Sequence, residues 1–299
     1  MTMQVNPFFI TNLSSALDQT QATEQQLSTE LSSGLGVTTI GQNPVAASQN
    51  AQLLNQIGVE DSFTQSSNLA LGGLNVTDSA LGGVVTQLNQ AISLGSEGAN
   101  GTLTLAQMQA ISNQLSGIRD EVLSLANTSY QGQYVFGGSQ TSGPPFTLNT
   151  STSPATVTYN GDSIVNQLQP PTGQPIAMNI PGNQIFTSST ANVLGALNTI
   201  VADYASGDSA AGAADTAALN SALNFVSQQR VTLDNSINRL NTATAAATSE
   251  ATQLTTVQTN LMQADIPSIS TQLSLVKSQQ TALINVIAAL GSGSLFDKL

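Results

Sequence analysis

Apolar residues recur at steps of three and four along most of this chain, and the pattern is clearest at its end. From Ala264 onward they fall at Ile266, Ile269, Leu273, Val276, Leu283, Ile287 and Leu290, with Gln280 as the one polar member. This is the a/d seam of a coiled coil, and one helix cannot bury so narrow a stripe alone. The opposite end offers a partner. There Ile10, Leu13, Leu17, Leu27 and Leu31 keep the same spacing, with Thr20 and Glu24 on the seam. Two pairing ends with everything else inserted between them predict a subunit built for assembly. Isolated arms of about 20 residues with polar seam positions are marginal in water. The ends are therefore expected to stay frayed in a lone molecule and to order on binding neighbours.

The first helix is expected from Thr11 to Ser33, after a flexible lead over residues 1–9 in which Pro7 is the last breaker. Gly34 supplies its C-cap. Pro44 opens a second helix, since its missing N–H has no partner at that position. The seam resumes at Ile57, Leu71, Leu74, Leu81, Val85, Leu88 and Ile92. Within it, Ala70-Leu71-Gly72-Gly73-Leu74 is echoed by Ala80-Leu81-Gly82-Gly83-Val84. Each interior glycine costs about 0.5–1 kcal/mol relative to alanine. The echo reads either as a broken helix or as a continuous one that needs glycine where a neighbouring backbone comes close. Gly95 to Gly101 read as a turn, and Thr104 with Gln107 as a capping box. The helix that follows sets Met108, Ile111, Leu115, Ile118, Val122 and Leu125 on one face and ends near Tyr130.

From Gln131 to about Ser189 the character changes. Gly137-Gly138, Pro144-Pro145, Pro170-Pro171, Pro175 and Pro181 separate short β-prone pieces. Thr156 to Tyr159 alternates and meets a turn signal at Asn160-Gly161-Asp162. Pro175 to Ile180 and Ile185 to Thr187 read as further short strands. Helical spacing returns at Val193, Leu197 and Ile200. A loose loop is expected from Gly207 to Asp215. A long register then runs through Val226, Leu233, Ile237, Leu240, Ala247, Ala251, Leu254 and Leu261, with Arg230, Thr244 and Gln258 on the seam. It shifts by one residue into the terminal seam, with Pro267 at a bend or restart.

The fold class is therefore mainly α with a β-rich insert: an elongated helical bundle or coiled coil formed by the N- and C-terminal segments, with a small β domain inserted mid-chain. Residues 1–40 make an N-terminal arm that pairs with a C-terminal arm over 263–299. Residues 41–136 and 191–262 give the two halves of the bundle, and 137–190 the insert.

Composition narrows the function. Charged residues are 7% of the chain, against roughly 25% in ordinary soluble domains. A net charge of -12 and five scattered basic residues (Arg119, Arg230, Arg239, Lys277 and Lys298) exclude a nucleic-acid partner, which needs clustered Lys and Arg. No run approaches the ~20 apolar residues of a membrane span, so no membrane partner is expected. The N-terminus shows no cleavable signal pattern.

Cysteine, histidine and tryptophan are absent. Thiolate nucleophiles, imidazole bases, disulfides and nearly all transition-metal sites go with them. There is no phosphate-binding loop, nucleophile elbow or metal-binding helix pair. No enzyme activity, catalytic residue, metal or cofactor is expected. Asp203, Asp208 and Asp215 lack calcium-loop spacing and read as solvated loop carboxylates. Glu60-Asp61 and Asp120-Glu121 read as exposed helix faces.

Several stretches resemble the flagellin family. Leu31-Ser32-Ser33-Gly34 followed by Asn43-Pro44-Val45-Ala46-Ala47-Ser48 is similar to its N-terminal signature. Gly98-Ala99-Asn100-Gly101-Thr102 resembles the turn between its core helices. Ser124-Leu125-Ala126-Asn127, then Gln133 to Gly138, Thr141 and Pro145-Phe146, resembles the entrance to the insert in members that join hook to filament. Tyr159 to Asp162 and Pro181 to Phe186 continue that resemblance. Ala264-Asp265-Ile266, Thr271-Gln272-Leu273, Gln279 to Leu283 and Leu295-Phe296-Asp297 are similar to the closing helix.

The resemblance implies a structural subunit of the bacterial flagellum that forms the junction layer between hook and filament. It implies export through the flagellar type III channel on an uncleaved N-terminus, and an extracellular location. The partners it implies are the preceding hook-associated junction protein, flagellin, copies of itself in a ring layer, and a cytosolic export chaperone. The N-terminal assembly residues would be Ile10, Leu13, Leu17, Leu27 and Leu31. Assembly and chaperone binding at the other end would fall on Ile266, Ile269, Leu273, Val276, Leu283, Ile287 and Leu290. Family members carry basic residues after Leu-Ser-Ser-Gly and acidic ones before the proline. Here Leu35, Gly36, Gln42 and Asn43 stand there. Contacts between subunits should then depend weakly on salt.

Two other readings compete. The filament subunit of the same family is the nearer, and the Phe136 to Phe146 entrance and Tyr159 to Phe186 insert favour the junction role over it. A secreted adhesin or enzyme on a coiled-coil stalk is the other. The missing catalytic residue types weigh against an enzyme, and the missing signal pattern against an adhesin.

Overall fold

The computed structural model describes residues 7–37 and 41–291. In order along the chain come α1 (Pro7–Ser33), α2 (Pro44–Gly98), α3 (Leu105–Ala126), β1 (Ser129–Tyr130), β2 (Gln133–Tyr134), β3 (Phe146–Asn149) and β4 (Thr156–Tyr159). They are followed by β5 (Gln167–Leu168), β6 (Ile176–Ala177), a 3-10 turn (Gly182–Gln184), α4 (Val193–Ser206), α5 (Ser209–Met262) and α6 (Ile266–Gly291). The chain is thus mainly helical, with a small β segment inserted between helices. It divides into two units: one from the two chain ends, up to Gly58 and from Glu250, and one from Val59–Ser249.

In the first unit α1 and α6 run antiparallel. Leu35 bridges Gln263, Glu24 faces Lys277, and Ala16 lies near Leu283. Pro7 does not precede α1 but opens it, at the position where a missing N–H costs nothing. The lead over residues 1–6 lies outside the described residues. Gly34, at φ +70, ends α1 by donating its N–H to the Glu30 carbonyl at 2.9 Å. Both terminal helices are formed within one chain, and each arm has its first partner in cis.

The register does not continue from α5 into α6. Gln263 to Asp265 leave the helix, and their backbone joins the α1–α2 connection instead. Gly36 donates to the Met262 carbonyl at 2.7 Å, and Ala264 to Gly34 at 2.9 Å. Pro267 then sits in the first turn of α6.

The second unit is built round one buried cluster. Leu81, Val84 and Leu88 of α2 meet Leu115 and Val122 of α3, Leu197 and Ile200 of α4, and Val226, Leu233 and Leu240 of α5. α2 passes unbroken through both glycine pairs. A Cβ at Gly72 would strike the Tyr130 ring, and one at Gly83 would lie 2.9 Å from Leu125. Continuity is thus the correct alternative, but side chains rather than backbone fill the glycine space. For the same reason α2 continues to Gly98 where a turn was expected from Gly95. Thr216 and Ile200 occupy the space beside Gly95, and Tyr204 that beside Gly98.

The loop expected over residues 207–215 shrinks to two residues. Gly207, at φ 87, ends α4. Asp208 then accepts the Ala211 N–H at 2.9 Å and starts α5. Gly212 is helical and faces the Tyr204 ring.

Within the insert β4 does not turn forward across Asn160-Gly161-Asp162. It pairs back with β3, Phe146 opposite Tyr159 and Asn149 opposite Thr156. Ile185 to Thr187 form a turn rather than a strand, with Ile185 and Phe186 fully buried. Phe186 meets Phe136 edge-on at 5.0 Å and Phe146 at 5.3 Å. All three rings belong to the same buried cluster as the helices. Asn127, just past α3, clamps both backbone groups of Phe146 at 2.9 Å.

Candidate assembly interface

The terminal seam is the site the chain-end pattern predicts. On α1, Leu13 and Leu17 are half-buried and Leu27 is buried. Ile10 is half-exposed, and Leu31 points off the seam, where Glu30 takes the buried position instead. On α6, Ile269 and Val276 are buried. Leu273, Leu283, Ile287 and the polar Gln280 are half-buried. Ile266 lies off the seam and is 40% exposed. The side chain of Leu290 lies outside the described residues, as do Leu295-Phe296-Asp297. The contact is tightest around Leu27, Ala264, Ile269 and Val276.

Away from that point the two helices meet less closely. A groove of about 550 Å³ opens between Ala16, Thr20 and Thr23 on α1 and Val276, Ala282 and Leu283 on α6. Small and polar residues leave this gap because they project too little to fill it. Thr20 turns its hydroxyl back to the Ala16 carbonyl rather than across the seam. Lys277 and Glu24 approach to 3.9 Å in solvent, a contact worth little. Along the two helices, Phe9, Ile10, Leu275, Ile284 and Val286 all reach water. These apolar side chains are exposed on both helices of the pair.

The neutral residues at the α1–α2 connection have structural roles that their positions alone did not indicate. Gln42 donates its amide to the Glu30 carboxylate at 3.0 Å, and Gln26 does so at 2.9 Å. Asn43 caps α2 by accepting the Ala46 N–H at 3.0 Å. Gln258 donates to Asn50 at 3.0 Å. Amides thus hold a buried carboxylate in place without an ion pair. Nothing in the sequence marked Glu30 as buried, because its step of three from Leu27 is as regular as Leu31's step of four.

The remaining candidates resolve differently. Asp120 pairs with Arg119 at 2.8 Å. Asp162 accepts from the Ser139 and Ile164 backbone and from the Ser139 hydroxyl. These bonds, the Ser139 hydroxyl first, hold its carboxyl below the usual range. Asp215 is not a solvated loop carboxylate. It stands on α5 facing Asp203 of α4, and burial, then the Asp203 carboxyl, push it up to about 6. Among the described residues no group of three or more acidic side chains is placed to hold a metal. No described helix is long and apolar enough to cross a membrane.

Comparison with known proteins places this geometry. Residues 9–141 match the bacterial flagellin N-terminal helical region. Flagellar hook-associated protein 3 of Salmonella typhimurium is 30% identical over 182 residues, covering 60% of this chain and 55% of that protein. The Escherichia coli protein of the same name is 28% identical over 292 residues, covering 89% of each. The crystal structure of flagellar hook-associated protein 3 from Legionella pneumophila shares the fold at a TM-score of 0.60 and 14% identity, covering 71% of this chain and 98% of that one. The chain resembles the flagellin N-terminal helical region over residues 9–141, and flagellar hook-associated protein 3 in sequence and in fold.

Proposed function

We propose that this chain is a structural subunit of the flagellum and forms the junction layer between hook and filament. The observation that carries the proposal is the α1–α6 pair. The two chain ends cover one another along a sparse seam and leave Phe9, Ile10, Leu275 and Ile284 facing water. A surface of this kind favours cover by neighbouring copies.

Ile10, Leu13, Leu17, Leu27 and Leu31 on one side, and Ile266 to Leu290 on the other, are the assembly residues. The seam members hold the arm together, and the others extend its outward face. The partners are further copies in a ring, the preceding junction protein and flagellin. A cytosolic chaperone covers α6 before export through the flagellar type III channel to the cell exterior. Because Gln26 and Gln42 rather than basic residues hold Glu30, assembly depends weakly on salt.

Deletion of the gene tests this reading. Motility lost, with flagellin shed into the medium and both restored by the intact gene, is the expected result. Retained motility overturns it. The second reading, a filament subunit, draws on the flagellin region at residues 9–141. It requires the purified chain to grow long filaments from seeds, which a junction subunit does not do.

A further inference from the structure

We infer that Asp215 keeps a proton that it donates to Asp203, and that this proton clamps the α4–α5 corner of the second unit in mildly acidic surroundings. The corner is sharp. α4 ends at Ser206, α5 begins at Ser209, and only left-handed Gly207 and the capping Asp208 lie between. This turn brings the Asp215 carboxyl on α5 within hydrogen-bonding reach of the Asp203 carboxyl on α4. Oδ2 of Asp215 is buried and has no hydrogen-bond partner. Two ionised carboxylates offer each other only acceptors. A proton on one of them supplies the missing donor, and the buried oxygen is then satisfied.

The surroundings offer no other donor of charge. From α4 come Asp203 and Tyr204, and the Tyr204 hydroxyl is engaged with the Gly95 carbonyl. α2 presents Gly95 and Gly98 at this corner, and its Glu97 is exposed. Asp208 spends its carboxylate on the first turn of α5. The described basic residues are occupied elsewhere. Arg119 meets Asp120, Arg230 meets Asp78, Arg239 meets the Gln174 and Pro175 carbonyls, and Lys277 meets Glu24.

The direction of titration agrees with this geometry. Burial is the first cause and Asp203 the second of a rise to about 6 at Asp215, from an ordinary 3.8. A folded value above the unfolded one means the contribution is fully present below 3.8 and is lost as pH rises through about 6. Above that value two like charges face each other across a two-residue turn. The Tyr204 wedge between Gly98 and Gly212 is the contact they push against.

Carboxyl NMR titration of the full chain, with amide exchange over residues 203–216, tests the inference. Asp215 should titrate near 6, and those amides should become better protected as it takes up its proton. Asp215→Asn should abolish the acid-dependent gain, because an amide donates to Asp203 at every pH. The thermal midpoint of that variant at neutral pH should rise by roughly 2–4 °C. Titration of Asp215 below about 4.5, or a gain that survives Asp215→Asn, overturns the proposal. Magnesium or calcium at neutral pH should leave the wild-type midpoint unchanged. A metal-dependent rise absent from Asp215→Asn would make the corner a cation seat and would equally overturn it.

Discussion

Arg230 lays its guanidinium fork on the Asp78 carboxylate, Nε to Oδ1 at 2.8 Å and Nη2 to Oδ2 at 3.0 Å, tying α5 to α2. Both side chains are partly covered by protein. The pair is therefore stronger than a free surface contact, and its bidentate geometry resists replacement by lysine. Arg230→Lys should lower the free energy of unfolding by about 1 kcal/mol, read from the denaturant midpoint. Lys277→Ala, which removes the long contact to Glu24, should leave the midpoint within about 0.5 kcal/mol. Equal effects from the two would mean that the fork contributes nothing beyond its charge.

Glycines in the helices separate into those that space requires and those it does not. A Cβ at Gly98 would lie 2.5 Å from the Tyr204 ring, and one at Gly212 would meet the same ring from α5. Tyr204 is fully buried and cannot swing away. Gly98→Ala and Gly212→Ala should each destabilise by about 1–3 kcal/mol through overpacking. A Cβ at Gly82 meets only ordinary contacts at 3.7 Å from Arg230. Gly82→Ala should stabilise by about 0.5–1 kcal/mol, with higher helicity. Thermal melts of the three variants check the contrast, and a uniform loss would refute it.

The same contrast explains which parts of the fold are legible in the sequence. Thr104 and Gln107 form the capping box their spacing promises. The α3 face from Met108 to Val122 is buried as its periodicity predicts. Those signals are local, so they need no knowledge of the partner. Gly95, Gly98 and Gly212 carry turn-forming signals that packing overrides, by Thr216 and Ile200 beside Gly95 and by Tyr204 beside the other two. Similarly, Asn160-Gly161-Asp162 reads as a hairpin turn, yet β4 already has its partner upstream in β3.

Along the α1–α6 contact, spacing located Leu27, Ile269, Leu273 and Val276. It did not show that Glu30 rather than Leu31 faces α6, because steps of three and four are both helical and only the direction of approach of α6 chooses between them. The Asp203–Asp215 contact was invisible for a related reason. Gly207 permits a tight corner, but only the fold shows that the corner is two residues long.

Acid should loosen the insert at the same time as it tightens the α4–α5 corner. Asp162 is held below its ordinary 3.8, first by the Ser139 hydroxyl and then by the Ser139 and Ile164 N–H groups. A folded value below the unfolded one gives a contribution that is present above 3.8 and lost as pH falls through the folded value. Protection factors at residues 137–139 and 162–164, taken relative to the intrinsic exchange rate at each pH, should therefore fall in acid while those of α3 hold. Asp162→Asn should already show that loosening at neutral pH. Unchanged protection around Ser139 in acid would contradict the assignment.

The last prediction separates the arm's own stability from its role in assembly. Leu273 and Leu275 sit two residues apart on α6 but on different faces: Leu273 packs on the buried cluster, while Leu275 is 59% exposed. Leu273→Glu places a charge in the seam and should cost about 2 kcal/mol or more. α1 and α6 should then lose amide protection in the free chain. Leu275→Glu changes a mostly exposed position, so protection in the free chain should match wild type. If the outward face of α6 is where neighbouring copies dock, Leu275→Glu should still abolish complementation of a deletion strain, with flagellin shed into the medium. Normal swimming with Leu275→Glu would remove that face from the interface. Loss of protection in the same variant would instead mean that it acts by unfolding the arm.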